Sequence, residues 1–469
     1  MHPDTVTHHG VGTPEPTLRS LLWCVYLPTF VFACGQGAVI PIVALTALDL
    51  GASVAVAGAA VAVKGIGTMV FDVPAGNFVA RFGERKAMLM ATVLLVGALI
   101  GCVLSPNPAV FLVCMFFMGC GWSVWLLARL TYITDVMPPN MRGRALSTLG
   151  GTQRIGNFIG PLVGAVAVTM YGLDGAYYFH IILAIVGCVV LFSVREPTEA
   201  TPPTGHPPIR VRAIARDHGY ALATAGVAAI AISVLRAARQ VILPLWAASI
   251  GFDAATVSIV FGISAAMDMV LFYPAGIASD RWGRKIVAVP CTAMMALGML
   301  LMPLTSDLGA LIAVGVLLGF GNGLGAGIIM TLGSDLAPNL GRAEFLGVWR
   351  LIGDMGTAGG PLLISGLGAV ATLGTASVAI GAFGMAGALF VLVGMPESHP
   401  VSVRAANRAR SATRTRGEKA ADSVETPQPS SLPADAERRN REKTGDARAV
   451  HTPSVPSTDN HDADTRSRR

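Results

Sequence analysis

The chain has 469 residues, of which 53% are hydrophobic and 13% charged, with a mean hydropathy of +0.60. A water-soluble domain carries roughly a quarter charged residues, so this composition excludes one and points to the membrane. The formal charge of +6 is modest for the length and implies no nucleic-acid partner.

The first 18 residues hold Asp4, Glu15 and three His without a basic n-region. The apolar stretch behind them is too long for a signal-peptide core, so it is expected to be an uncleaved helix after a cytoplasmic segment at 1–19. Twelve stretches can each cross a hydrocarbon core of roughly 30 Å with about 20 residues. Spans 1 to 6 lie at 20–44, 54–78, 87–105, 109–133, 145–169 and 175–194. Spans 7 to 12 lie at 219–246, 254–277, 286–304, 309–332, 345–370 and 375–395. The expected fold class is an all-α membrane protein with six-helix bundles at 20–194 and 219–396. A Pro-, Thr- and Arg-rich cytoplasmic linker at 195–218 joins them. From Glu397 on, 14 basic and 11 acidic residues mix with Ser, Thr and Pro, so 397–469 is expected to be a disordered cytoplasmic tail.

Loops after the odd-numbered spans contain no Lys or Arg, only Asp49, Asp174, Asp253 and Asp307. The opposite set carries Arg81, Arg85, Lys86, Arg142, Arg144, Arg281, Arg284, Lys285 and Arg342, among others. The positive-inside rule places that set and both termini in the cytoplasm, as expected of a multi-pass cell-membrane protein. Cys24, Cys34, Cys102, Cys114, Cys120, Cys188 and Cys291 sit in hydrophobic segments without metal-ligand spacing. They read as small packing residues, and no metal or cofactor is expected.

The chain repeats itself at an offset of 200 residues. Pro74-Ala75-Gly76 returns as Pro274-Ala275-Gly276, Gly119-x-Gly121 as Gly319-x-Gly321, Asp135 as Asp335, and Gly160-Pro161-Leu162 as Gly360-Pro361-Leu362. Internal symmetry in so hydrophobic a chain predicts two structural repeats with a site where they meet.

Between spans 8 and 9 runs Gly276-Ile-Ala-Ser-Asp280-Arg281-Trp-Gly283-Arg284-Lys285. It resembles the G-x-x-x-D-R-x-G-R-R signature of the major facilitator superfamily, and the resemblance covers roughly 18–396. The first-half copy departs from the signature, with Ala80 in place of Asp and Glu84 in place of a basic residue. Gly156-x-x-x-Gly160-Pro161-x-x-Gly164 in span 5 looks like part of the motif of drug:proton antiporters, although such glycines also serve ordinary helix packing. The resemblance implies twelve helices in two pseudo-symmetric bundles, with spans 3, 6, 9 and 12 turned to lipid. It also implies secondary active transport by alternating access. Arg81 with Asp135, and Arg281 with Asp335 beside Asp280, are expected to form breakable cytoplasmic gate pairs.

A charge near the bilayer centre costs roughly 2.5–3.5 kcal/mol, so retained ones should face protein or water. The candidates are Lys64, Asp72, Arg129, Arg154, Arg236, Arg239, Asp268, Arg350 and Asp354, and none falls in spans 3, 6, 9 or 12. Asn157 and Gln240 join Lys64, Arg154, Arg236, Arg239, Asp268, Arg350 and Asp354 as expected pathway residues. Asp72 could instead be an interfacial pair, Arg129 a helix-to-helix link, and Arg350 and Asp354 mutually neutralised at i, i+4. Trp122 and Trp125 could stack on substrate or simply pack. Asp268 is expected to carry the proton and to serve Arg236, with Asp72 and Asp354 next in line. Six basic against three acidic residues suit an anionic substrate, held in part by Arg154.

These features lead to an expected monomeric, proton-coupled exporter of a small amphipathic or anionic compound. Its partners would be that substrate, protons and the bilayer. Proton-coupled uptake of an organic anion is the alternative, and a membrane sensor or membrane enzyme is remote. Within the membrane the one histidine, His180, was expected on a lipid-facing span.

Overall fold

Glycine, proline and short polar caps divide the chain into helices. The structure, a computed structural model, describes residues 21–193, 216, 219–338 and 342–395. A π-helical turn, Leu22–Tyr26, leads into α1 (Leu27–Val39), α2 (Val43–Asp49), α3 (Val54–Phe82), α4 (Glu84–Val103), α5 (Pro108–Val136), α6 (Pro139–Tyr171) and α7 (Asp174–Ser193). The second half contains α8 (Gly219–Ser249), α9 (Ala254–Trp282), α10 (Lys285–Leu301), α11 (Leu308–Leu324), α12 (Ile328–Leu336), α13 (Arg342–Val370) and α14 (Leu373–Gly394). Apart from Arg216, the linker expected at 195–218 and the tail expected at 397–469 lie outside the described residues.

Among the described residues nine helical segments are long and apolar enough to cross a membrane, or ten if the bent pair α1–α2 is one span. In that reckoning α11 and α12 make a single span, Leu308–Leu336. The long helices α6 and α13 fall outside it because their runs of glycine and polar residues, including Arg154, Asn157, Arg350 and Asp354, make them less apolar.

Two predicted spans are interrupted. Span 1 bends by 40° between α1 and α2. Span 10 breaks at Gly325-Ala326-Gly327, where Gly327 adopts φ 77°, a conformation that a Cβ would oppose. Elsewhere the helices outrun their predicted ends: α3 and α9 each continue to residue 82 or 282 before stopping at Gly83 (φ 79°) and Gly283 (φ 110°).

The repeat in the sequence is a repeat in packing. A Cβ built on Gly119 would lie 2.1 Å from the Lys64 carbonyl oxygen, and one on Gly319 would lie 2.0 Å from that of Ser264. Gly160 and Gly360 approach the carbonyls of Cys34 and Val234 in the same way, at 2.3 and 2.5 Å. Glycine lets α5 meet α3, α11 meet α9, α6 meet α1, and α13 meet α8 at backbone contact distance. The halves then join along two seams, α3 against α13 and α6 against α9.

Candidate functional site between the repeats

Both seams are in contact toward the end of the bundle that carries Gly51 and Gly251. There Ser365 donates to the Ala55 carbonyl at 2.6 Å, Gly58 lies against Ser365, and Gly262 lies against Leu162. Toward the arginine-rich end the contact loosens, and Cβ atoms on Gly150 and Gly151 would sit 3.9 Å from the Phe272 ring. Charged side chains occupy the middle of each seam.

On the α6–α9 seam, Arg154 donates to Asp268, and its guanidinium carbon stands 4.8 Å from the Phe272 ring centre. Asp268 was expected to serve Arg236, and the structure corrects that: its partner is Arg154, in the other half. Arg236 instead donates to the Gly325 carbonyl at 2.5 Å, at the break between α11 and α12. An interrupted helix exposes carbonyls that an intact one would use internally. Arg239 donates to the Ser264 hydroxyl at 2.7 Å and lies 5.1 Å from the Phe261 ring centre.

Arg236 and Arg239 both feel the charges of Asp268 and Arg154, so three guanidinium groups share one carboxylate. The Nε atoms of Arg236 and Arg239 are buried without a hydrogen-bond acceptor among the described residues. Such groups cost free energy until an acceptor arrives. Asn157, one turn beyond Arg154, likewise leaves its buried Oδ1 unmet. Gln240 is half-buried, while Gln36 and Asn322 are buried.

On the α3–α13 seam, Arg350 reaches across the halves to Asp72 at 2.7 Å, and Asp354 lies farther off at 3.6 Å. The expected neutralisation of Arg350 by Asp354 is therefore the weaker of its two contacts. Ser123 of α5 also donates to Asp72.

Lys64 is half-buried on α3, with its charge in electrostatic reach of His180. His180 was missed. It is 1% exposed, not lipid-facing, and packs edge-on to Phe32 in the first bundle. Both its ring nitrogens lack partners among the described residues. A usable signal was Gly35, because a Cβ there would lie 2.2 Å from the His180 ring. Arg129 is a helix-to-helix link, donating to Gln153 at 2.8 Å and Thr29 at 3.4 Å beneath the Trp125 ring. Trp125 stacks on Phe32 at 4.2 Å and is a packing residue.

The gate residues also fall differently from expectation. Arg281 is exposed against Trp282, and its expected place at Asp335 is taken by Arg284. Arg284 donates to Asp335 at 2.9 Å, to Asp280 at 2.6 Å and to Ser279 at 2.9 Å. Burial works against its charge, but those hydrogen bonds hold its pKa above the ordinary arginine value. This latch ties α9 to α12 within one half. In the first half Arg81 and Asp135 are exposed and form no ion pair with each other among the described residues.

Membrane-length helices in two repeats, with charged side chains where the repeats meet, are the architecture of a membrane transporter. The sequence matches the Major Facilitator Superfamily over residues 25–239 and 225–425, and the chain belongs to that family. It is 27% identical to multidrug resistance protein MdtG of Proteus mirabilis over 165 residues, 34% of this chain and 41% of that protein. It is 23% identical to the staphylopine export protein of Staphylococcus aureus, over 72% of this chain and 87% of that one. A crystal structure of the nucleoside transporter NupG shares the fold with a TM-score of 0.67 at 13% identity, covering 81% of this chain and all of that one, 100%.

Proposed function

We propose that the chain is a proton-coupled exporter of a small anionic or amphipathic compound, working by alternating access in the plasma membrane. The observation that carries the substrate charge is the trio Arg154, Arg236 and Arg239 around the single carboxylate of Asp268. Guanidinium groups pair bidentately with carboxylate or phosphate, and an anion supplies the acceptors that the buried Nε atoms lack. Phe261 and Phe272 beside these arginines give an apolar wall for the rest of an amphipathic molecule. Binding draws Arg154 away from Asp268, which loosens the α6–α9 seam and links occupancy to movement of the halves. Outward direction is favoured by relatives named for export and multidrug resistance. The basic loops support a reading with the arginine-rich end and both termini in the cytoplasm.

The test is transport by the purified protein in proteoliposomes, screened first with anionic and amphipathic compounds under an imposed pH gradient. Arg154→Ala is expected to raise half-saturation at least about tenfold, the loss of roughly one charge-assisted hydrogen bond, and Arg154→Lys to raise it less. Unchanged half-saturation across an anionic series in Arg154→Ala returns Arg154 to helix packing beside Gly156. Accumulation indifferent to the pH gradient removes proton coupling.

A further inference from the structure

The two seams carry charge in different stoichiometry. Arg154 meets one acid on α6–α9, whereas Arg350 serves two on α3–α13. Its Nη2 donates to Asp72 Oδ1 at 2.7 Å, and its Nε lies 3.6 Å from Asp354 Oδ2. Asp354 faces Asp72 across the junction, so two carboxyl groups contributed by different halves interact directly. Asp354 Oδ2 is buried and has no hydrogen-bond donor among the described residues. Two carboxylates with one guanidinium leave a net charge of −1, and like charges so placed resist joint ionisation. A buried carboxylate oxygen without a donor is costly as well. One proton relieves both penalties.

We propose that Asp72 and Asp354 jointly hold a single exchangeable proton, with Arg350 as the switch that binds or expels it. This rests on the proton-coupled reading above and moves the carrier from Asp268 to the other seam. The proton arrives from water onto one carboxylate oxygen, giving a neutral carboxyl that donates to the opposite carboxylate, while Arg350 neutralises the remaining charge. When α3 and α13 part, Asp72 keeps the Ser123 hydroxyl and loses Arg350. Arg350 then has Asp354 alone, its i, i+4 neighbour on α13, and stabilises that carboxylate. The O–H bond breaks and the proton returns to water.

Among the described residues no other ion pair reaches Asp72 or Asp354. Arg129 on α5 is held by Gln153, Thr29 and Trp125. Arg236 and Arg239 on α8 are bonded to the Gly325 carbonyl and the Ser264 hydroxyl and feel the charges of Asp268 and Arg154, and Lys64 on α3 lies in electrostatic reach of His180. Such a shared proton makes the seam between the repeats a loading device: the acids meet only while that seam is closed.

The experiment needs no substrate. Infrared spectra of the purified full-length protein in liposomes are recorded against pH, following the carbonyl stretch of protonated carboxyl groups. The wild type is expected to keep a protonated carboxyl well above the ordinary carboxylate range of about pH 4. That signal should vanish in Asp354→Asn and in Asp72→Asn and persist in Asp268→Asn. Arg350→Gln, which leaves both acids in place, should enlarge it. A wild type without the signal, or one that loses it in Asp268→Asn but keeps it in Asp354→Asn, overturns the proposal. Because no transported compound enters the measurement, a failed substrate screen cannot imitate that result. An intact signal with no pH-driven transport would instead count against the transport reading alone.

Discussion

Superposed at the 200-residue offset, the two halves share their backbone contacts and differ in where charge is placed. A Cβ built on Gly156 or Gly356 would lie the same 2.9 Å from the Phe30 or Ile230 carbonyl oxygen, and one on Gly121 or Gly321 would lie 3.2 or 3.1 Å from that of Ala91 or Cys291. Against that common frame, Lys64 stands opposite Ser264 and Arg154 opposite Asp354. Trp125, inside an unbroken α5, stands opposite Gly325 at the break of span 10. Shape is therefore shared between the repeats, because a Cβ at those points would crowd the facing backbone. Chemistry is divided between them, so the seams can hold charges of opposite sign.

If shape is common property, damage to it should be symmetric, and this is the largest expected effect. Gly119→Leu and Gly319→Leu each force a side chain into a carbonyl that an added Cβ would approach within 2.1 or 2.0 Å. Each is expected to cost about 3 kcal/mol or more and to abolish folded yield, measured as monodisperse protein after detergent extraction. A variant that stays folded in one half but not the other would break the equivalence of the repeats.

That symmetric part was legible in the sequence, and the reason is physical. Glycine spacing and the apolar stretches report backbone proximity and bilayer thickness, both read from single residues or local runs, and nine or ten of the twelve expected spans meet that length and apolarity among the described residues. Pairing of charges is different, since it depends on which rotamer reaches a partner on another helix, 51 positions away in the latch and 114 across the seam. Asp268 met Arg154 rather than Arg236, and Asp335 met Arg284 rather than Arg281. His180 escaped because a single polar residue in an apolar run does not announce which face it occupies. Of the candidate pathway residues, the charged ones lie on or beside the seams, except Lys64, which is half-buried on α3 within electrostatic reach of His180.

The latch sharpens the comparison at the arginine-rich end. Arg284 is buried between Asp280, Ser279 and Asp335, whereas its counterpart Glu84 opens α4, where the helix dipole suits a carboxylate. Arg284→Gln is expected to destabilise by about 2 kcal/mol, because it strips charged hydrogen bonds from two acids. Glu84→Gln should cost only about 0.5 kcal/mol. The paired change Ala80→Asp with Glu84→Arg should install a second latch onto Asp135 and raise thermal stability in detergent. Equal losses from Arg284→Gln and Glu84→Gln would show that the second half has no privileged latch.

The smallest effect concerns the caps that start α3 and α9, again at matched positions. Ser53 accepts from the Val56 amide at 3.4 Å, and Asp253 accepts from Ala255 and Thr256 at 3.1 and 3.4 Å. Replacing either by Ala should cost about 1 kcal/mol at neutral pH, the usual worth of an N-cap. Only Asp253 titrates. The Thr256 hydroxyl, and then the two amides, hold its carboxyl below the ordinary aspartate value, and the site is largely exposed, so solvent screens much of that gain. A carboxyl with a depressed folded pKa adds stability above its unfolded value of about 3.9, and loses it as pH falls through the folded value. Asp253→Ala should therefore approach wild-type stability as pH drops below about 4, while Ser53→Ala keeps its deficit at every pH. Thermal melts of both variants across that range read the difference. A deficit in Asp253→Ala that does not shrink in acid would mean that this cap works through geometry alone, as Ser53 does.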